Sequence, residues 1–158
     1  MRRWLVAALS TCVLGGCLGG QTGQPASLDC VETSDSRLGK VYLGEHHLTL
    51  HWLDGMASDE ALMISVADSG KVASYDQCSQ EDRAVVRLHV STVSGSVSEE
   101  GNGVFSAAHG TLTPAQFTLV GSRFTIQGTW TGAPDAARVH GELTTAAGST
   151  ISTVATFE

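Results

Sequence analysis

Three histidines lie close together near the start of the chain: His46, His47 and His51. Imidazole is a common ligand for zinc or copper. On an extended strand, His47 and His51 share one face about 13 Å apart, whereas His46 points to the other face. A metal would therefore need ligands from a neighbouring strand, such as His89 or His140. We expect no metal site from this segment alone, and a metal-binding protein or metal-dependent enzyme stays open as an alternative function.

Adjacent carboxylates occur at Asp59–Glu60, Glu81–Asp82 and Glu99–Glu100. A glycosidase needs two carboxyl groups about 5–9 Å apart across a cleft, whereas adjacent pairs between predicted strands are typical of solvated charge. The sequence contains no H-E-x-x-H motif, no G-x-S-x-G elbow and no phosphate-binding glycine loop. We therefore predict a protein without catalytic residues, without enzymatic activity and without a cofactor.

The N-terminus has the features of a secretory signal peptide. A basic start, Met1–Arg3, precedes an apolar stretch over residues 4–14 that is too short for a comfortable transmembrane helix. The run ends at Leu14-Gly15-Gly16-Cys17, which resembles the lipobox of bacterial lipoproteins. The resemblance implies cleavage before Cys17, a diacylglycerol on its thiol and acylation of its new amino group. Cys12 is a less suitable lipidation site because Thr11 precedes it.

This resemblance divides the chain into a signal peptide (1–16), a lipidated cysteine with a flexible tether (17–27) and one domain (28–158). The tether is rich in Gly and Gln and carries no charge. Position 18 is Leu rather than Asp, which by resemblance to enterobacterial lipoproteins implies an outer-membrane location. The expected partner is therefore the membrane, through the lipid anchor.

Two cysteines remain in the domain after processing, Cys30 and Cys78. Outside the cytoplasm, two such cysteines most simply form a disulfide. The enclosed loop would stabilise the fold by roughly 4 kcal/mol in the chain-entropy model. A buried free pair or one half of a metal site are the alternatives.

Composition indicates a folded, acidic domain. The chain has 158 residues, a formal net charge of −7, 42% hydrophobic residues and 16% charged residues. A disordered chain would be poorer in apolar residues, and a nucleic-acid-binding protein would need a basic face to neutralise phosphates. Both classes are therefore disfavoured.

Hydrophobicity alternates with a period of two through most of the domain, which is typical of half-buried strands. The clearest signal is a three-stranded antiparallel meander over residues 124–131, 137–144 and 151–157. Shorter strands are predicted around 38–43, 46–53, 61–67, 71–75, 84–93, 103–112 and 116–120, with a mobile loop between 94 and 103. The fold class is all-β, a single antiparallel β-sandwich, with a small up-and-down β-barrel as the alternative. We favour the sandwich because a ligand-carrying barrel would have longer strands and more lining aromatics.

The meander has one polar face that could bind glycans or a partner protein. Its proposed binding residues are Thr125, Gln127, Thr129, Arg138, His140 and Glu142. A solvent-facing sheet that uses Thr for its β-propensity would show the same pattern. The sequence thus predicts a lipid-anchored envelope protein, a non-catalytic binding or structural module with an envelope protein or glycan as partner. A small-molecule or lipid carrier with a β-barrel cavity is the first alternative.

Overall fold

The computed structural model describes residues 31–33, 37–55, 57–146 and 153–158. The predicted signal peptide, Cys17, the predicted tether and Cys30 lie outside these residues. The described chain is all-β, as predicted, and its helical segments are three single 3-10 turns at Lys40–Tyr42, Leu53–Gly55 and Pro134–Ala136. The strands are β1 (Val31–Thr33), β2 (Gly44–Trp52), β3 (Glu60–Asp68), β4 (Ser74–Asp76), β5 (Glu81–Thr92), β6 (Ser98–Ala108), β7 (Ala115–Val120), β8 (Phe124–Thr131), β9 (Arg138–Thr145) and β10 (Thr153–Phe157).

The strands form a closed antiparallel barrel rather than the favoured sandwich. Successive strands pair from β5 through to β10, and β10 then pairs with β2, with Phe157 opposite Leu50. The backbones of Thr49 and Glu158 add two hydrogen bonds, of 2.8 and 3.2 Å. A sandwich would have two separate hydrogen-bonded sheets with free edges, whereas this sheet closes on itself. The up-and-down barrel alternative is therefore the correct fold.

Eight strands complete the ring, because β3 and β4 follow one another along the same edge of β5. Residues 69–73 leave the sheet between these two strands. The short strand β1 pairs with β4, with Val31 opposite Asp76. One end of the barrel carries the 77–80, 109–114 and 132–137 connections, and the other end carries the 53–59, 93–97 and 121–123 connections.

Side chains fill the lumen of the barrel, and its largest members are aromatic. The rings of Tyr42, Phe105 and Trp130 stack on one another, with centroids 4.9–5.5 Å apart. Phe117 packs beside Trp130 at 5.0 Å and Phe157 packs against Phe117 at 6.4 Å. All five side chains are no more than 1% exposed. The carrier alternative predicted an open apolar cavity, whereas this part of the lumen is occupied by the protein's own rings.

Several predicted segments differ from the structure. Residues 71–73 of the strand expected over 71–75 belong to the β3–β4 connection, and the strand expected over 103–112 ends at Ala108, because Gly70 and Gly110, with φ of 71° and 74°, turn the chain out of the sheet. Residues 38–43 were expected to form a strand, but they form a turn and a 3-10 helix whose Leu38 and Tyr42 side chains close one end of the barrel. The Tyr42 hydroxyl donates to the carbonyl of Leu112 in the β6–β7 connection, and burial raises its pKa. The loop expected over 94–103 is shorter, because β6 already begins at Ser98. The C-terminal meander is confirmed.

Candidate functional site

A groove crosses the outer face of the barrel over the predicted polar sheet. One part, of about 380 Å³, lies over β7, β8 and β9. A second part, of about 370 Å³, lies over β9, β10 and β2. The two parts share His140, Gly141 and Glu142, so we treat them as one feature and call it the outer groove. Its other lining residues are Gln116, Phe117, Thr118, Gln127, Gly128, Thr129, His51, Thr156, Phe157 and Glu158.

Strand register arranges the polar lining in two rows. The first row runs across five neighbouring strands and consists of His51, Thr156, Glu142, Gln127 and Thr118. The second row consists of His140, Thr129 and Gln116. Neighbouring strands lie about 4.8 Å apart, so the first row spans about 19 Å, and the rows are separated by about 7 Å along each strand. The groove between them is therefore long, narrow and polar on both sides.

Two glycines form the floor between the rows. Gly128 lies directly opposite Gly141 in the β8–β9 pair. A Cβ on Gly128 would lie 2.5 Å from Cε1 of Phe117, and one on Gly141 would lie 2.2 Å from the carbonyl oxygen of Gln127. Because both missing side chains would point into crowded space, the glycines allow close strand approach and leave room for aromatic rings beneath the groove.

Acidic groups surround one end of the outer groove. Nδ1 of His51 lies 2.9 Å from a carboxylate oxygen of Asp59, and its Nε2 lies 3.9 Å from Glu158. Glu142 accepts a hydrogen bond of 3.4 Å from the Thr153 hydroxyl. Carboxylates repel anions and attract cations, so this end favours a neutral or cationic group over a phosphate.

The structure places four of the six predicted binding residues in the outer groove: Gln127, Thr129, His140 and Glu142. Thr125 and Arg138 lie on the same strands, β8 and β9, but do not line it. The sequence interpretation did not include Gln116 and Thr118. These residues alternate with buried residues along β7, a segment that the sequence predicted only as a short strand. It also missed the contribution of β2, because pairing of β2 with β10 depends on barrel closure.

The three histidines of the first strand segment do not converge. Nε2 of His46 lies 2.8 Å from the carbonyl oxygen of Tyr42, and the His46 ring meets the Trp130 ring edge-on at 4.9 Å. His47 and His51 lie on the other face of β2, where His51 contacts Asp59. Across the described part of the chain, no group of three or more His, Cys, Asp or Glu side chains could hold a metal ion.

The carboxylate pairs have a structural role that the sequence did not reveal. Glu99 is only 5% exposed and accepts backbone hydrogen bonds from Ser122 and Arg123, at 3.0 and 2.8 Å. Asp82 is 2% exposed and lies 3.0 Å from the backbone nitrogen of Gly110 and 2.9 Å from Nδ1 of His109. Each carboxylate therefore fixes a turn at one end of the barrel, and the expectation of solvated charge is wrong for these two groups.

Glu60 fixes a third turn. Its carboxylate accepts hydrogen bonds from Trp52 Nε1 at 2.9 Å and from the hydroxyls of Ser94 and Ser96. Burial raises the pKa of Glu60, but the hydrogen bonds from Ser94, Ser96 and Trp52 outweigh it, so the pKa lies below its usual value. Glu60 therefore holds the β5–β6 turn as a carboxylate at neutral pH.

No protein-family model matches the chain, and neither a curated protein nor a solved structure is significantly similar to it. Among the described residues, no helix has the length and apolar character needed to cross a membrane. The class of protein is therefore defined by the fold itself, an eight-stranded up-and-down antiparallel β-barrel with a polar groove on its outer wall.

Proposed function

We propose that the protein is a non-catalytic binding module of the cell envelope and that the outer groove is its ligand-binding site. The observation that carries this proposal is the pair of polar rows on either side of the Gly128–Gly141 floor. Binding sites combine a concave shape with a few convergent polar groups, and this groove has both.

The lining chemistry favours an uncharged, hydroxyl-rich ligand. Gln116 and Gln127 offer amide donors and acceptors, and Thr118, Thr129 and Thr156 offer hydroxyls. Many such groups in two parallel rows suit an extended chain of repeating polar units better than a compact apolar molecule. We therefore propose a glycan chain of the envelope as the ligand, with an extended peptide as the competing candidate.

The anchor proposed from the sequence fits this role. A lipidated Cys17 would hold the barrel at the membrane, where tethering raises its effective concentration near envelope ligands. An outer-membrane location follows from the same resemblance and is part of the proposal.

The proposed Cys30–Cys78 disulfide would join the start of the domain to the barrel. Val31, which directly follows Cys30, lies opposite Asp76 in the β1–β4 pair, two residues before Cys78. The β1–β4 pair therefore brings the chain that follows Cys30 close to the 77–80 turn that contains Cys78, and the bridge would fix the first strand to the β4–β5 hairpin.

Titration with soluble N-acetylglucosamine oligomers, which are uncharged and carry no peptide, tests the proposed ligand class. We expect saturable binding by isothermal titration calorimetry, weakened about 3- to 10-fold by Gln127→Ala, because one uncompensated hydrogen bond is lost. Asn102→Ala is the matched control, since Asn102 is an exposed amide on β6, away from the groove. Binding that Gln127→Ala and Asn102→Ala weaken equally, or no binding by a correctly folded chain, would contradict the glycan proposal.

A further inference from the structure

The only two lysines of the chain, Lys40 and Lys71, line the same small pocket. Lys40 belongs to the 3-10 turn before β2, and Lys71 belongs to the connection between β3 and β4. Arg37 is exposed in the same turn, where its carbonyl accepts a 3.1 Å hydrogen bond from the backbone of Lys40. In a chain with a net charge of −7, three cationic side chains are thus gathered in one place.

These lysines differ from the arginines of the barrel wall in their partners. Arg83 lies 3.5 Å from Asp76, and Arg87 lies 3.5 Å from Glu100. Within the described residues, neither Lys40 nor Lys71 forms an ion pair. Asp68, the one carboxylate in their pocket, accepts a 2.8 Å hydrogen bond from the backbone of Gly70. Both lysine side chains are exposed, and the three basic side chains together with Asp68 leave a net charge of +2 at this place.

Exposed aliphatic side chains accompany the basic residues. Val72 is 71% exposed beside Lys71, and Leu43 is 41% exposed and lines the same pocket as both lysines. Apolar side chains among basic residues are typical of protein surfaces that contact the interface of an anionic bilayer. We call Arg37, Lys40, Leu43, Lys71 and Val72 the basic patch.

The chain ahead of the barrel arrives on the same side. Val31 begins β1 opposite Asp76, and β4 starts two residues after Val72. In the processed chain, the 14 residues from the proposed lipid-bearing Cys17 to Cys30 therefore lead into β1 on the same side of the barrel as the basic patch. The outer groove lies on β7–β10 and β2, mostly on the wall opposite β4 and β5.

We propose that the basic patch docks on the surface of an anionic lipid bilayer and orients the barrel so that the outer groove faces away from the membrane. The proposal does not depend on what the groove binds. Each basic side chain at an anionic surface favours the docked state about five-fold. Three such groups would orient a chain that is already tethered but would recruit a free chain only weakly.

Amide hydrogen exchange of the processed chain, lipidated at Cys17 and reconstituted in vesicles, tests this docking, which rests on the proposed anchor. We expect segments 37–43 and 69–73 to exchange more slowly in vesicles that contain phosphatidylglycerol than in pure phosphatidylcholine vesicles. High salt should abolish the difference because it screens the charges. The 93–97 and 121–123 turns at the other end should exchange equally in both vesicles, and strand amides report that each variant is folded.

Paired charge removals make the test specific. Lys71→Gln should reduce the added protection about five-fold, and Lys40→Gln with Lys71→Gln should remove nearly all of it. Arg123→Gln, which removes one positive charge from the exposed turn at the other end of the barrel, should leave the protection unchanged. Equal exchange in both vesicle types would overturn the proposal, as would equal effects of Lys71→Gln and Arg123→Gln.

Discussion

Gly128 and Gly141 face each other across the β8–β9 pair, and a Cβ on either one would enter space already occupied by backbone or aromatic atoms. The two glycines lie between the aromatic core of the barrel and its outer surface. Both positions point into the lumen, where the rings of Phe117 and Phe157 leave no room for a side chain, so between the two polar rows the outer wall consists of backbone.

Replacing Gly141 with Ala should lower the free energy of unfolding by roughly 1–3 kcal/mol, because the new methyl group would press on the Gln127 carbonyl at 2.2 Å. Chemical denaturation measures the change. Gly101→Ala is the control, since its nearest contact is a flexible Leu119 methyl group at 3.1 Å, and it should cost less. A Gly141→Ala protein as stable as the wild type would show that the floor has no steric constraint.

Neutralising Glu99 should destabilise the barrel, since its two carboxylate oxygens accept backbone hydrogen bonds from the β7–β8 turn. We expect Glu99→Gln to cost about 1–3 kcal/mol and to accelerate amide exchange at Ser122 and Arg123. The neighbouring Glu100→Gln is the matched control. Glu100 is exposed and its nearest cation lies 3.5 Å away, so its loss should change the stability by less than about 1 kcal/mol. Equal losses in the two variants would refute the proposed anchoring of the turn.

At low pH, Glu60 should lose its contribution to the free energy of unfolding. Its pKa is lower in the folded state than in the unfolded state, so its carboxylate stabilises the fold above the unfolded pKa. That stabilisation is lost over the interval in which the pH falls from the unfolded pKa through the lower folded pKa. The difference in unfolding free energy between wild type and Glu60→Gln should therefore shrink over this interval. A difference that is constant with pH would contradict the role of the ionised carboxylate.

Peptide mapping under non-reducing conditions tests the proposed disulfide directly. Protein isolated from an oxidising compartment should yield one cross-linked peptide that contains Cys30 and Cys78. Reduction should lower the stability by up to about 4 kcal/mol, because the unfolded chain regains the freedom of the open loop. Two alkylatable thiols in the native protein would instead support a free pair.

The sequence predicted the strands with the most regular alternation. Phe124, Ile126 and Trp130 point into the barrel while Thr125 and Gln127 point outwards, as the period of two required. The polar wall of the outer groove could be proposed for the same reason, because local alternation determines which side chains share a face.

Barrel closure could not be predicted in the same way. The pairing of Phe157 with Leu50 joins residues more than a hundred positions apart, and neither strand shows in its own pattern which partner it takes. The start of β6 could not be predicted either, because Gly101, Asn102 and Gly103 are residue types that favour loops. Gly103 is instead buried in β6, where a Cβ would lie 2.1 Å from Leu88.

The binding role of the outer groove is tested most directly by nuclear magnetic resonance, with amide shifts of the barrel followed during titration with soluble, uncharged N-acetylglucosamine oligomers. We predict that the shift changes concentrate on β7–β10 and β2 around Gly128 and Gly141, with the amides of β5 and of the Tyr42 segment unchanged. Shifts that concentrate on residues around Tyr42 and Trp130 would instead place the ligand in the lumen and favour a carrier. Shifts confined to β3, β5 and β6 would contradict the assignment of the outer groove as the binding site.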